Sequence, residues 1–228
     1  PDQRISIDKA GSTVTVHAAV SALELNHALA EEDLQIAVMP EIGNATVGSL
    51  ACCGTKDSSL DSGPGQVSST VVGMKFVDAK GELRSVSVGS PDDSPTIEIM
   101  RSSYGLLGIV YEVTFKTQTL THLLHEYEEL PLDKAASRAD VVGDSQGVLG
   151  FLQPFADRII CERRRSRSAR AEIALISRVV DRKTRKVRSV FWEHLAAAGA
   201  NRLGPKFDDV FATSVLSLRP FIATRGEC

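Results

Sequence analysis

The chain has 228 residues, 43% of them hydrophobic and 24% charged, with a formal net charge of -3. Such a chain can bury a large core as one domain or two, and it lacks the overall basic character that draws a protein onto nucleic acid or an anionic membrane. No apolar run approaches the roughly 20 residues needed to span a bilayer, and the N-terminal Pro-Asp-Gln-Arg holds no signal-peptide core, so the expectation is a soluble, cytoplasmic protein.

In chain order, Ile5 and Ile7 alternate with polar residues over Arg4 to Asp8. Val14, Val16 and Ala18 do the same over Thr13 to Val20, which predicts a β-hairpin or two neighbouring strands. Ser21 to Glu32 carries Ala22, Leu23, Leu25, Ala28 and Leu29 at helical spacing, and Ser21 with Glu24 forms a capping box. Leu34 to Met39 then returns to an extended pattern.

Pro40 to Ser59 (Pro-Glu-Ile-Gly-Asn-Ala-Thr-Val-Gly-Ser-Leu-Ala-Cys-Cys-Gly-Thr-Lys-Asp-Ser-Ser) reads as a loop. Gly43, Gly48 and Gly54 stand among small and hydroxyl residues, which lets backbone N–H groups come close to an anionic or planar ligand. An ordinary surface loop has a similar composition. However, Ala45 to Cys53 is apolar or small throughout, and a buried irregular backbone needs partners that a ligand could supply.

Beyond it, Ser69 to Ala79 predicts a strand through Val71, Val72, Met74, Phe76 and Val77. Asp78 to Gly81 is a turn signal leading into Leu83 to Val88. Asp92 to Tyr104 predicts a polar connection and a short helix around Ile97 to Met100. Gly105 to Phe115 combines a glycine turn with a β-branched strand.

Val14 to Leu120 resembles the FAD-binding domain of the vanillyl-alcohol-oxidase, or p-cresol methylhydroxylase (PCMH), type of flavoprotein, which includes sugar-alcohol and aldonolactone oxidases. Three blocks carry the resemblance: Val16 to Leu29, Pro40 to Ser59, and Gly105 to Thr114. It implies an α+β fold, a mixed sheet with flanking helices, and FAD as cofactor. It further implies a site lined by Pro40, Glu41, Ile42, Gly43, Thr46, Val47, Gly48, Gly54, Thr55, Ser58 and Ser59, with Gly108, Ile109 and Val110 lying along the cofactor. Glycine N–H groups can hold phosphate oxygens, and Ile109 and Val110 suit a flat apolar ring system. For Gly108 a plain turn before a strand is the other reading.

This sequence departs from the family where many relatives carry His-Gly after the Gly-Thr pair: here Lys56-Asp57 stands. Lys56 offers positive charge to a phosphate or to reduced flavin, or is simply solvated. The family's smaller N-terminal subdomain, with its Arg/Gly-rich turn, has no counterpart, so residues 1–120 read as the second FAD subdomain alone. Residues 121–228 resemble part of an α+β substrate or cap domain with an antiparallel sheet. There, His125 to Leu130 predicts a strand and Asp133 to Val142 a helix through Ala135, Ala136 and Ala139. Val148 to Phe155 and Arg158 to Arg163 predict antiparallel strands, Ser189 to Ala198 a helix, and Phe207 to Leu218 a further apolar segment.

The four cysteines, Cys52, Cys53, Cys161 and Cys228, form neither a disulfide framework nor a zinc spacing, so no metal is expected. Cys52 and Cys53 read as buried, inert small residues. Basic residues crowd 162–188, but no aromatic stacking residues stand among them and Ile173, Leu175, Ile176, Val179 and Val180 interleave, which favours a strand with a solvated face over a nucleic-acid surface. Of His17, His27, His122, His125 and His194, the pair His122 and His125 falls at the domain junction and merits testing, yet no catalytic base is assigned.

The expected function is an FAD-dependent oxidoreductase taking hydride from a small, hydroxylated organic substrate, with oxygen or another acceptor reoxidising the flavin. The alternative is a non-catalytic or fragmentary homologue that keeps the fold as a scaffold. A reductase of cell-wall precursor synthesis sharing the fold fits the Pro40 to Ser59 block less well. Nucleic-acid and membrane-spanning roles are not expected, and a homo-oligomer is left open.

Overall fold

A computed structural model describes residues 4–40, 42–60, 65–90, 94–135, 137, 141–153, 156–167 and 221–224. They form two compact units: the described residues up to 57 and between 65 and 121 make one, and residues 58–60 with the described residues from 122 onward make the other. Among the described residues no helix is long and apolar enough to cross a membrane.

In the first unit, β1 (Ile5–Asp8) and β2 (Thr13–His17) pair antiparallel with Ile5 opposite Val16. The alternation read from sequence works as expected: Val14 and Val16 are fully buried while Thr13, Thr15 and His17 turn outward or lie half-buried. Helix α1 (Ala22–Ala30) follows. Ser21 Oγ accepts from the Glu24 N–H while the Glu24 carboxylate accepts from the Ser21 N–H, so two orphan amide groups are satisfied. Its face of Ala22, Leu25 and Leu29 is wholly buried. Each of these leucines contributes about 1.5–3 kcal/mol by leaving water.

Next come β3 (Leu34–Ile36), α2 (Val47–Cys52), a 3₁₀ turn at Val67–Thr70, β4 (Val71–Val77), β5 (Leu83–Ser87), α3 (Ser94–Met100) and β6 (Ile109–Thr119). The 11-residue β6 is the central strand: it pairs with β2 and β4 on its two sides, and its last residues pair with β3. The sheet order is β1-β2-β6-β4-β5.

One expectation is corrected. Val47–Cys52 is a helix, not loop, with Val47, Leu50, Ala51 and Cys52 buried and Thr46 and Ser49 exposed. Two of its first-turn amides need no ligand, because the Val47 N–H donates to Val20 O and the Gly48 N–H to Ala18 O. Gly48 is a packing glycine: an added Cβ would stand 2.8 Å from the Ala18 methyl.

The second unit is built on β7 (His122–Pro131), β8 (Gly147–Leu152), β9 (Arg158–Arg167) and β10 (Phe221–Thr224), all antiparallel in the order β10-β7-β9-β8. Between β7 and β8 lies the single helical turn α4 (Leu132–Ala135). Residues 141 and 142 of the predicted 133–142 helix are also helical, while Ala136 and residues 138–140 lie outside the described residues. Arg163 pairs with Glu128, and Arg165 pairs with Glu126 and Asp144, so these members of the basic set are matched by carboxylates. The set beyond residue 167, and the two segments predicted over 189–198 and 207–218, lie outside the described residues.

Candidate functional site

The residues expected to hold a cofactor fall into separate clusters. Pro40 is buried, Ile42 is exposed, and Glu41 lies outside the described residues. Gly43 O accepts from the Leu23 N–H and Ala45 O from the Ala22 N–H, which lays this stretch along the first turn of α1. Thr46, Val47 and Gly48 begin α2 against residues 18–21. Ser58 and Ser59 belong to the second unit, where Ser58 O accepts from the Val148 N–H and Leu60 donates to Gln146 O.

Gly108 has φ +153, and a Cβ there would collide with the Val77 carbonyl and stand 2.9 Å from the Phe76 ring. Close approach to β4 alone therefore requires glycine at this position. Ile109 is 75% exposed, whereas Val110 is half-buried against the core.

A second set of contacts brings the two glycine-bearing blocks together. The Tyr104 N–H donates to Cys52 O at 3.1 Å, and the Val67 N–H donates to Thr55 O at 2.9 Å. Residues 52–55 are thereby held between the 3₁₀ turn and the segment that follows α3. At the centre sits the exposed Gly54, where an added Cβ would meet Gln66 Nε2 at 3.4 Å and Tyr104 Oη at 3.7 Å. Cys52 is buried beside Ser103. Burial pushes its thiol pKa up, the reverse of what a nucleophilic thiolate requires. Lys56 is exposed.

In the second unit, His125 and Glu162 are fully buried and Arg164 nearly so. Glu162 Oε1 lies 2.9 Å from His125 Nδ1 and accepts from Arg164 Nε at 2.9 Å, while Tyr127 Oη donates to Oε2 at 2.6 Å. An ionised Glu162 beside Arg164 accepts from both the guanidinium and a proton on His125 Nδ1. Of this group sequence reasoning singled out His125 alone as a candidate, because Glu162 and Arg164 meet it only through the pairing of β7 with β9. Among the described residues no group of His, Cys, Asp and Glu could hold a metal ion.

Comparison with known proteins gives these arrangements a context. Residues 2–87 match the family model described as an FAD binding domain. The fold is also that of solved flavoprotein oxidases. Cholesterol oxidase from Brevibacterium sterolicum superposes with a TM-score of 0.69 at 14% identity, over 98% of this chain and 46% of that one. 6-Hydroxy-D-nicotine oxidase from Arthrobacter nicotinovorans gives 0.57 at 21% identity, over 75% and 39%. The glucose dehydrogenase Phl p 4.0202 gives 0.58 at 17%, over 76% and 36%. This chain thus spans less than half the length of each. No curated protein matches the sequence.

The α+β architecture read from sequence is therefore that of the PCMH-type flavoprotein oxidases, and the cofactor it indicates is FAD. The residues present fit such a group at Gly54. A Cβ would fill the space between Gln66 and Tyr104, and its absence leaves a cradle with a carboxamide and a phenol hydroxyl converging on it. The first N–H groups of α2 are already spent on Ala18 and Val20, so α2 does not offer those two to a phosphate.

Proposed function

We propose that this chain serves an FAD-dependent oxidoreductase acting on a small, hydroxylated organic substrate. The observation that carries the reading is the FAD binding domain match over residues 2–87, on a fold shared with flavoprotein oxidases. FAD, when bound, accepts a hydride from the substrate carbon, and oxygen or another acceptor takes up the two electrons. The hydroxyl proton leaves separately, so an alcohol carbon becomes a carbonyl.

The chain's own part is to bind and orient. Gly54 and Thr55 form the close-approach segment, whose shape is fixed by the Thr55–Val67 and Cys52–Tyr104 backbone bonds. Ile109, exposed at the start of β6, offers apolar surface to a planar group.

The test is a visible absorption spectrum of the purified chain after addition of excess FAD and desalting. Retained flavin bands support the reading, and Gly54→Val should abolish them because a branched side chain fills the cradle. Gly48→Val makes a poor probe, since its clash with Ala18 disturbs folding first. A folded but colourless wild-type chain would overturn the proposal and leave the scaffold alternative.

A further inference from the structure

Tyr104 sits in a backbone conformation that its side chain makes costly. Its φ is +52, in the left-handed region, where a bulky residue is strained and glycine is not. The neighbouring Gly105, at φ +77, meets the same demand without strain. Yet residue 104 is tyrosine, and the ring gains little burial in return, being 68% exposed. Strain of this kind persists where the surroundings fix it and the side chain's position is used.

That position is the cradle. Tyr104 Oη and Gln66 Nε2 both lie within 4 Å of the point where Gly54 would carry a Cβ. Both side chains are uncharged and hydrogen-bonding. Their chemistry suits carbonyl, imide and hydroxyl groups and lacks the positive charge that a pyrophosphate calls for.

We infer that Tyr104 and Gln66 are cofactor-binding residues that hydrogen-bond the uncharged flavin and ribityl half of FAD over Gly54, the left-handed turn at Tyr104 serving to aim its hydroxyl there. The inference rests on the FAD reading above. It adds two residues to the site and says which half of the cofactor lies at Gly54.

The test titrates FAD into the 228-residue chain by flavin fluorescence and records the melting temperature of each variant. Tyr104→Gly should melt no lower than wild type, because glycine relieves the strain, and should bind FAD about tenfold more weakly, as the loss of a good hydrogen bond allows. Gln66→Ala should weaken FAD severalfold at unchanged melting temperature and shift the visible band of the flavin that remains bound. Wild-type binding with FAD affinity within twofold in both variants would overturn the inference alone. Losses that only track a fall in melting temperature would overturn it as well. A wild-type chain that takes up no FAD would overturn the underlying reading and this inference with it.

Discussion

In the first unit the buried positions of the sheet carry Val14, Val16, Val113 and Phe115, and α1 adds Leu25 and Leu29. In the second, β7 and β9 bury His125, Glu162 and Arg164 beside Leu123 and Ile160, with Tyr127 donating to the same carboxylate. The contrast is one of error tolerance. An apolar core loses stability in proportion to the area and volume removed, whereas a buried ionic centre depends on every partner being present, since one missing member leaves an uncompensated charge out of water.

The sharpest way to break the comparison is Glu162→Leu, which removes the carboxylate shared by His125, Tyr127 and Arg164. It should cost about 3–5 kcal/mol, read by urea unfolding or by lost amide protection across β9. Adding Arg164→Met to that variant should recover only the part of the loss that the buried guanidinium causes, because His125 and Tyr127 still lack the acceptor that Glu162 supplied. No recovery at all would mean that the Arg164 charge does not set the cost, and that packing or the hydrogen bonds of His125 and Tyr127 do.

On the apolar side, Gly108→Ala should cost about 1–3 kcal/mol, because its added methyl meets the Val77 carbonyl in a conformation that alanine resists. Smaller still is Ser21→Ala, a lost helix cap worth about 1 kcal/mol by thermal melting.

The smallest effect is on pH. Backbone and side-chain hydrogen bonds from Ser21, with help from Arg4, hold the Glu24 carboxyl below its ordinary range. A depressed folded-state pKa stabilises above the unfolded value and is lost as pH falls through the folded one. Acid should therefore loosen the start of α1 in wild type, and less so in Ser21→Ala, as amide exchange followed against pH would show.

The helix α1 was legible because a capping box and an apolar repeat are local signals, and both agree with the packed result. The strands other than β10 were legible for the same reason: alternation survives wherever one face is buried. Helix α2 was not. Glycine and serine gave its sequence the composition of a loop, and only the closeness of Ala18 shows that Gly48 is there to let a helix pack. Gly108 likewise answers first to Val77, a demand invisible from its neighbours in sequence.

By itself, then, the sequence determined the order and type of most regular elements, α2 and β10 excepted, and the resemblance that names FAD, since both are written in periodicity and in short motifs. Tertiary structure alone decided which distant residues meet. It set Gln66 and Tyr104 beside Gly54, and His125 against Glu162 across a separation of 37 residues. Contacts of that range depend on strand pairing and close packing, which no local pattern of side chains encodes.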